Sequence, residues 1–179
     1  MVMTNVNNFY GAGCYDIKVK DSSANIYDLY GAISIEGDPE KEDVEIKGDD
    51  TILGSFCFSQ KETLTIKANA VSFDVLEAIT GNDVTSDSDS ASVGLGTDEE
   101  KSPPFVEIYA INEAKSADGT ECYFKKTWHK VQITKVKVTQ EGESEFAVEM
   151  EGIGYVTSVD IVGGALTTAR VATLEAYAK

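Results

Sequence analysis

Apolar and polar residues alternate along most of the chain with a period of two, in short runs broken by Gly, Asp, Pro and Ser. That spacing predicts strands with one face buried and one solvated, as in an all-β sandwich or barrel. Ile17 and Val19 alternate with Asp16, Lys18 and Lys20, and Ile33 and Ile35 follow the aromatic run from Tyr27 to Tyr30. Val44 and Ile46 alternate with Asp43, Glu45 and Lys47. Phe56 and Phe58 are followed by Leu64 and Ile66, with a turn expected at Gln60-Lys61-Glu62. Val106 and Ile108, Val131 and Ile133, then Phe146, Val148 and Met150 continue the rhythm. Between Ile133 and Val136 the apolar positions change parity, which predicts a β-bulge at Thr134-Lys135, because one extra residue flips the facing of everything after it.

One segment has the helical period instead. From Ala70 to Thr80, Phe73, Leu76 and Ile79 recur three apart, Asn69 or Ser72 can cap the start, and Gly81 stands where a left-handed terminator belongs. Eleven residues are marginal alone, so this helix is expected to lie on a sheet. Residues 82–104, closed by Pro103-Pro104, and Ala114 to Thr120, with its Asp118-Gly119 turn, read as loops. The expected organisation is an N-terminal arm over 1–13, a β-domain over 14–160 and a C-terminal arm over 161–179. The fold class is mainly β, a sandwich or barrel of two antiparallel sheets with one flanking helix and a long charged hairpin.

Composition then narrows the chemistry. The 179 residues carry 15 Lys and Arg against 31 Asp and Glu, a formal charge of −16, which opposes any role that depends on neutralising nucleic-acid phosphates. No run approaches the roughly 20 apolar residues of a membrane span, and the start lacks the basic flank and apolar run of a signal peptide. The expectation is synthesis in the cytosol and no membrane insertion by this chain. Cys14, Cys57 and Cys122 are odd in number and far apart, which suits free thiols.

Catalytic constellations are poorly supplied. The single histidine, His129, lies in Lys125-Lys126-Thr127-Trp128-His129-Lys130 and is expected on a strand or turn surface, with no nucleophile or orienting acid in view. Cys122 and His129 lack the short paired spacings of a zinc site. Asp87-Ser88-Asp89 opens like a calcium loop, yet Ser92 stands where Gly is needed and Asp98 where Glu closes it. No phosphate-binding Gly-x-x-x-x-Gly-Lys-Ser/Thr run occurs. Two carboxylates of a glycosidase could hide among the acids, but the one Trp sits among lysines and not with other sugar-stacking aromatics. The reading is a protein that is not an enzyme, with no catalytic, cofactor or metal residues.

Charge is segregated along the chain. Glu36 to Asp50 holds eight acids and two lysines, Asp83 to Glu100 six acids and no base, Glu141 to Glu151 five acids and no base, and Lys125 to Lys137 five bases and no acid. Such segregation predicts attraction between copies, the basic strand Lys125, Lys126, Lys130, Lys135 and Lys137 of one meeting an acidic segment of the next. Residues 36–50 form a charged hairpin with too few apolar residues to bury itself, and a two-stranded ribbon needs another surface to be stable.

The order of these elements resembles the major tail tube proteins of long-tailed bacteriophages. The resemblance covers most of residues 25–156 and rests on the charged loop ending in Lys47-Gly48-Asp49-Asp50, the helix Ser72-Phe73-Asp74-Val75-Leu76-Glu77-Ala78-Ile79-Thr80-Gly81, Pro104-Phe105-Val106-Glu107-Ile108, the Asp118-Gly119 hairpin and Phe124-Lys125-Lys126-Thr127-Trp128. It implies a structural subunit that assembles into stacked hexameric rings, a tube in the virion tail through which viral DNA passes during ejection. It also implies an inter-ring hairpin at Asp38, Pro39, Glu40, Glu42, Asp43 and Glu45. Glu45, Asp49 and Asp50 are then expected near the lumen or ring contact. Other copies of the chain are the main partners, with tape-measure, tail-terminator and distal-tail or baseplate proteins beside them. The alternative is a baseplate or receptor-binding β-module of a virion or related injection machine.

Overall fold

The computed structural model describes residues 9–48, 51–95, 102–116, 119, 121–139 and 147–178, with backbone alone described for 9–15, 41–48, 51–60, 116, 167–168 and 178. The strands are β1 (Phe9–Lys20), β2 (Ile26–Asp28), β3 (Ala32–Gly48), β4 (Thr51–Ala68), β5 (Thr85–Ser86), β6 (Ala91–Ser92), β7 (Phe105–Ser116), β8 (Glu121–Thr139), β9 (Ala147–Tyr155), β10 (Thr157–Val159), β11 (Ala165–Arg170) and β12 (Ala172–Ala178). The helix α1 (Phe73–Thr80) lies between β4 and β5. The protein is mainly β with antiparallel sheets and one short helix, as the alternation predicts.

One eight-stranded sheet does the wrapping, in the order β2-β1-β7-β8-β9-β4-β3 with β12 added alongside β8. The other two sheets are the small pairs β10-β11 and β5-β6. β2 and β3 stand at opposite ends of that order, yet only residues 29–31 join them. A link so short forces the sheet to curl until its two ends meet. Backbone bonds fix the meeting: Leu29 N–H donates to Ile17 O at 2.9 Å and Asn69 N–H to Gly31 O at 2.8 Å.

Inside the curl lies one hydrophobic cluster drawn from five strands of the wall: Ile17 and Val19 of β1, Leu64 and Ile66 of β4, Val106 and Ile108 of β7, Trp128, Val131 and Ile133 of β8, and Val148 and Met150 of β9. α1 adds Val75, Leu76 and Ile79. Its start is capped by Ser72, whose Oγ accepts from Val75 N–H at 3.3 Å, and its end by Gly81 at φ +72°, whose N–H donates to Glu77 O at 2.8 Å.

Bulges decide which residues reach this core. Between Ile133 and Lys135 the register against β9 shifts, so the expected bulge at Thr134 is present. A second one lies upstream. Val106 pairs with Val131 and Ile108 with Trp128, so Glu107 alone faces His129 and Lys130. That extra residue lets Trp128 and Val131 share the core face although three positions separate them.

The turn expected at Gln60-Lys61-Glu62 does not form: β4 runs through it as one strand. The register instead slips between Lys41 and Glu42, which pair with Gln60 and Phe58. A slip of this kind reverses the alternation of the strand on either side of it, so equal spacing in sequence does not mean one shared face here. The loop expected over 82–104 contains the short β5-β6 pair. Residues 9–13 of the expected N-terminal arm continue β1 on β7, and Ala172–Ala178 of the expected C-terminal arm pair with β8, so over these residues both ends belong to the sheet.

Two outcomes test the packing. Trp128 is 2% exposed and its Nε1 has no hydrogen-bond partner among the described atoms. Trp128→Phe removes that unpaired donor while keeping a ring, so urea titration should show a loss of no more than about 1.5 kcal/mol, against about 3–5 kcal/mol for Trp128→Ala. Gly81→Ala places a Cβ in a left-handed residue and 3.1 Å from Pro104 Cδ, and should lower stability by at least about 1 kcal/mol.

Candidate assembly surfaces

The charged hairpin is the outer part of the β3-β4 pair. β9 covers β4 from Lys61 to Ala68. Beyond Lys61, residues 51–60 of β4 pair only with β3 among the described residues. About ten residues of two-stranded ribbon therefore leave the barrel, on the order of 30 Å at roughly 3.4 Å per residue. Along it Glu42 pairs with Phe58, Asp43 with Cys57, Val44 with Phe56, Glu45 with Ser55 and Ile46 with Gly54. Sequence reading catches the ribbon through its charges but misses its register, because that depends on the bulge.

Of the residues expected at the inter-ring hairpin, Asp38 and Pro39 are exposed at its base. Glu40 is tied down there: its Oε2 lies 2.8 Å from Lys61 Nζ and its Oε1 accepts from Thr63 Oγ1 at 2.6 Å. Those two contacts hold its carboxyl below the ordinary carboxylate value, Lys61 most of all. Glu42, Asp43 and Glu45 stand on the ribbon, and Asp49 and Asp50 lie outside the described residues.

Free edges accompany the ribbon. Among the described residues β3 pairs with β4 alone, β12 with β8 alone, and β8 beyond Gln132 has β9 on one side and no strand on the other. Each is a row of backbone donors and acceptors facing outward.

The basic strand is placed on β8 as expected, but its lysines are engaged within the chain. Lys125 Nζ sits 4.3 Å above the Tyr109 ring and Lys130 Nζ 4.3 Å above Phe105. Lys126 Nζ lies 4.3 Å over the Trp128 ring and 2.8 Å from Glu62 Oε1. One glycine makes room for that pair: a Cβ on Gly37 would stand 1.9 Å from Glu62 Oε1. Lys135 Nζ is 2.6 Å from Glu151 Oε1, which raises the Lys135 ammonium above its usual value, and Lys137 pairs in register with Glu149.

His129 is not on the surface. It is 7% exposed at the β8 bulge, opposite Glu107, itself 7% exposed. Nδ1 is 3.3 Å from Glu107 Oε2 and Nε2 is 3.1 Å from Thr173 Oγ1. A carboxylate only accepts, so Nδ1–H donates to Glu107, and in the neutral ring Nε2 accepts from the Thr173 hydroxyl. Lys20 Nζ lies 3.6 Å from the other oxygen of Glu107, and the His129 backbone N–H donates to Val171 O at 3.3 Å. The row Lys20, Glu107, His129, Thr173 thus crosses β1, β7, β8 and β12 and pins the last strand to the wall. The parity break between Trp128 and Val131 was the signal for it.

A cavity of about 450 Å³ opens beside Asp16, Lys18, Asp28 and Tyr30. Lys18 Nζ is 2.5 Å from Asp28 Oδ1 and 3.2 Å from Asp16 Oδ2. These bonds, Asp28 first, raise the Lys18 ammonium above its normal value, and Lys18 lowers the Asp28 carboxyl. An ammonium so held is neither a base nor a nucleophile at neutral pH. Among the described residues no three His, Cys, Asp or Glu gather where a metal ion could be held, and no helix is long and apolar enough to cross a membrane.

No protein-family model and no curated protein matches this chain.

His129→Ala should leave the barrel folded, yet speed amide hydrogen exchange in β12 and cost about 1–3 kcal/mol, since Glu107 loses a buried partner. Asp28 has a depressed carboxyl, so its contribution to stability is full above the unfolded carboxylate range and fades as pH falls through the folded value. The loss in melting temperature on acidification should accordingly be smaller in Asp28→Asn than in the unaltered chain.

Proposed function

We propose that this protein is a structural subunit that joins copies of itself into rings stacked as a tube, the role that the resemblance to phage tail tube proteins implies. The observation that carries the reading is the β3-β4 ribbon, which runs on past the part of β4 that β9 covers and has no third strand beside it among the described residues. A two-stranded ribbon is marginal in water by itself, and a second copy supplies the surface it lacks. The outward edges of β3 and β12 support the same reading, since ring closure satisfies edges that a lone subunit leaves open.

In such a tube the protein acts through shape and charge and has no catalytic role. Six copies carry 6 × (−16) = −96 charges, and a wall of that sign does not bind the DNA backbone by counterion release, so the duplex slides. Glu45, Asp49 and Asp50, at or next to the ribbon, are assigned to the lumen or the contact between rings. The tube belongs to the virion tail, is made in the bacterial cytoplasm, and meets tape-measure, terminator and distal-tail or baseplate proteins at its ends.

Negative-stain microscopy of the concentrated chain is expected to show rings or hollow tubes. A paired substitution, Val44→Asp with Phe56→Asp, should abolish them while leaving the melting temperature within a few degrees, because the ribbon lies outside the core. A monomer at every concentration and salt would overturn the reading. Finite oligomers that persist after deletion of residues 40–60 would point to a baseplate or receptor-binding module instead.

A further inference from the structure

The charge map read along the sequence and the charge map of the fold make opposite statements about how copies meet. Along the chain, a basic strand is separate from the acidic segments and looks available to a neighbour. In the fold it is spent at home: Lys125 and Lys130 lie on aromatic rings, Lys126 on Glu62, Lys135 on Glu151, and Lys137 faces Glu149 across the β8-β9 ladder. Lys18 and Lys20, on the same wall, are held by Asp16, Asp28 and Glu107.

What remains outward is largely of one sign. From Asn69 through Glu100 there are eight acids and no Lys or Arg. Asp74 and Glu77 on α1 and Asp83, Asp87 and Asp89 after it are all exposed. No basic residue in that stretch offsets them, and the β8 lysines are already engaged.

We infer that copies of this chain repel one another electrostatically and associate through the backbone edges of their strands and ribbon, so that self-association strengthens as salt rises. The inference rests on the reading of the partner as a second copy, and it reverses the sign of salt dependence that ion-pair docking of the basic strand requires. The screening length falls from about 30 Å at 0.01 M salt to about 8 Å at 0.15 M. Repulsion between whole subunits is therefore strong in the first condition and confined to the contact in the second, while backbone pairing and apolar burial change little.

The test is sedimentation velocity on the full chain in sodium chloride at about 0.01 M and 0.15 M, with static light scattering on the same samples. The association constant should rise about tenfold or more between the two. The variant Glu77→Gln, Asp83→Asn, Asp89→Asn changes only exposed residues and should reach the same association at lower salt. Association that weakens with salt, or a variant that behaves as the parent does, overturns the inference while leaving a tube-forming subunit intact. If the chain stays monomeric throughout, the tube reading falls and the association in this inference falls with it; the repulsion is overturned as well unless the second virial coefficient is large and positive at low salt and drops as salt is added.

Discussion

Backbone hydrogen bonding along β8 is the constraint on which the rest of the structure depends. This strand of 19 residues serves three neighbours: β7 on one edge from Glu121 to Gln132, and on the other edge β12 first and then β9. A strand has only two edges, so β12 and β9 must succeed one another, and the succession falls near the bulge at His129 and Lys130. The Val171 carbonyl that accepts the His129 N–H closes the gap between the two partners. Without it a buried donor would be left open at the middle of the wall.

The bulges then control composition. A period-two pattern puts a residue inside or outside by parity, and each inserted residue reverses the assignment. The bulge at His129 brings Trp128 and Val131 to the core together and turns a histidine toward Glu107 and Thr173. The one between Lys41 and Glu42 falls where β4 passes out of its pairing with β9 and into the ribbon. The same strand β4 thus serves the core at one end and the ribbon at the other.

Electrostatics follows from the same geometry. Antiparallel pairing sets Lys135 and Lys137 against Glu151 and Glu149, and the glycine at 37 leaves space for the Glu62 carboxylate that Lys126 reaches. Lys126 and Lys135 are ion-paired where the strands meet. The acids of α1 and the segment after it have no such neighbours in sequence and stay at the surface, so the protein's exterior is more uniformly acidic than its sequence order implies.

The sequence by itself determined the strand character, the helix with Ser72 and Gly81 at its ends, the bulge at Thr134 and the existence of a long charged hairpin, because each is written in local periodicity, capping chemistry or composition. Tertiary structure alone decided that Gln60 to Glu62 continues a strand, that residues 172–178 pair with β8, that His129 is buried against Glu107, and that Lys126 and Lys135 of the basic strand find carboxylates within their own chain. Those outcomes depend on which strands become neighbours, and pairing partners tens of residues apart leave no periodic mark in the sequence between them.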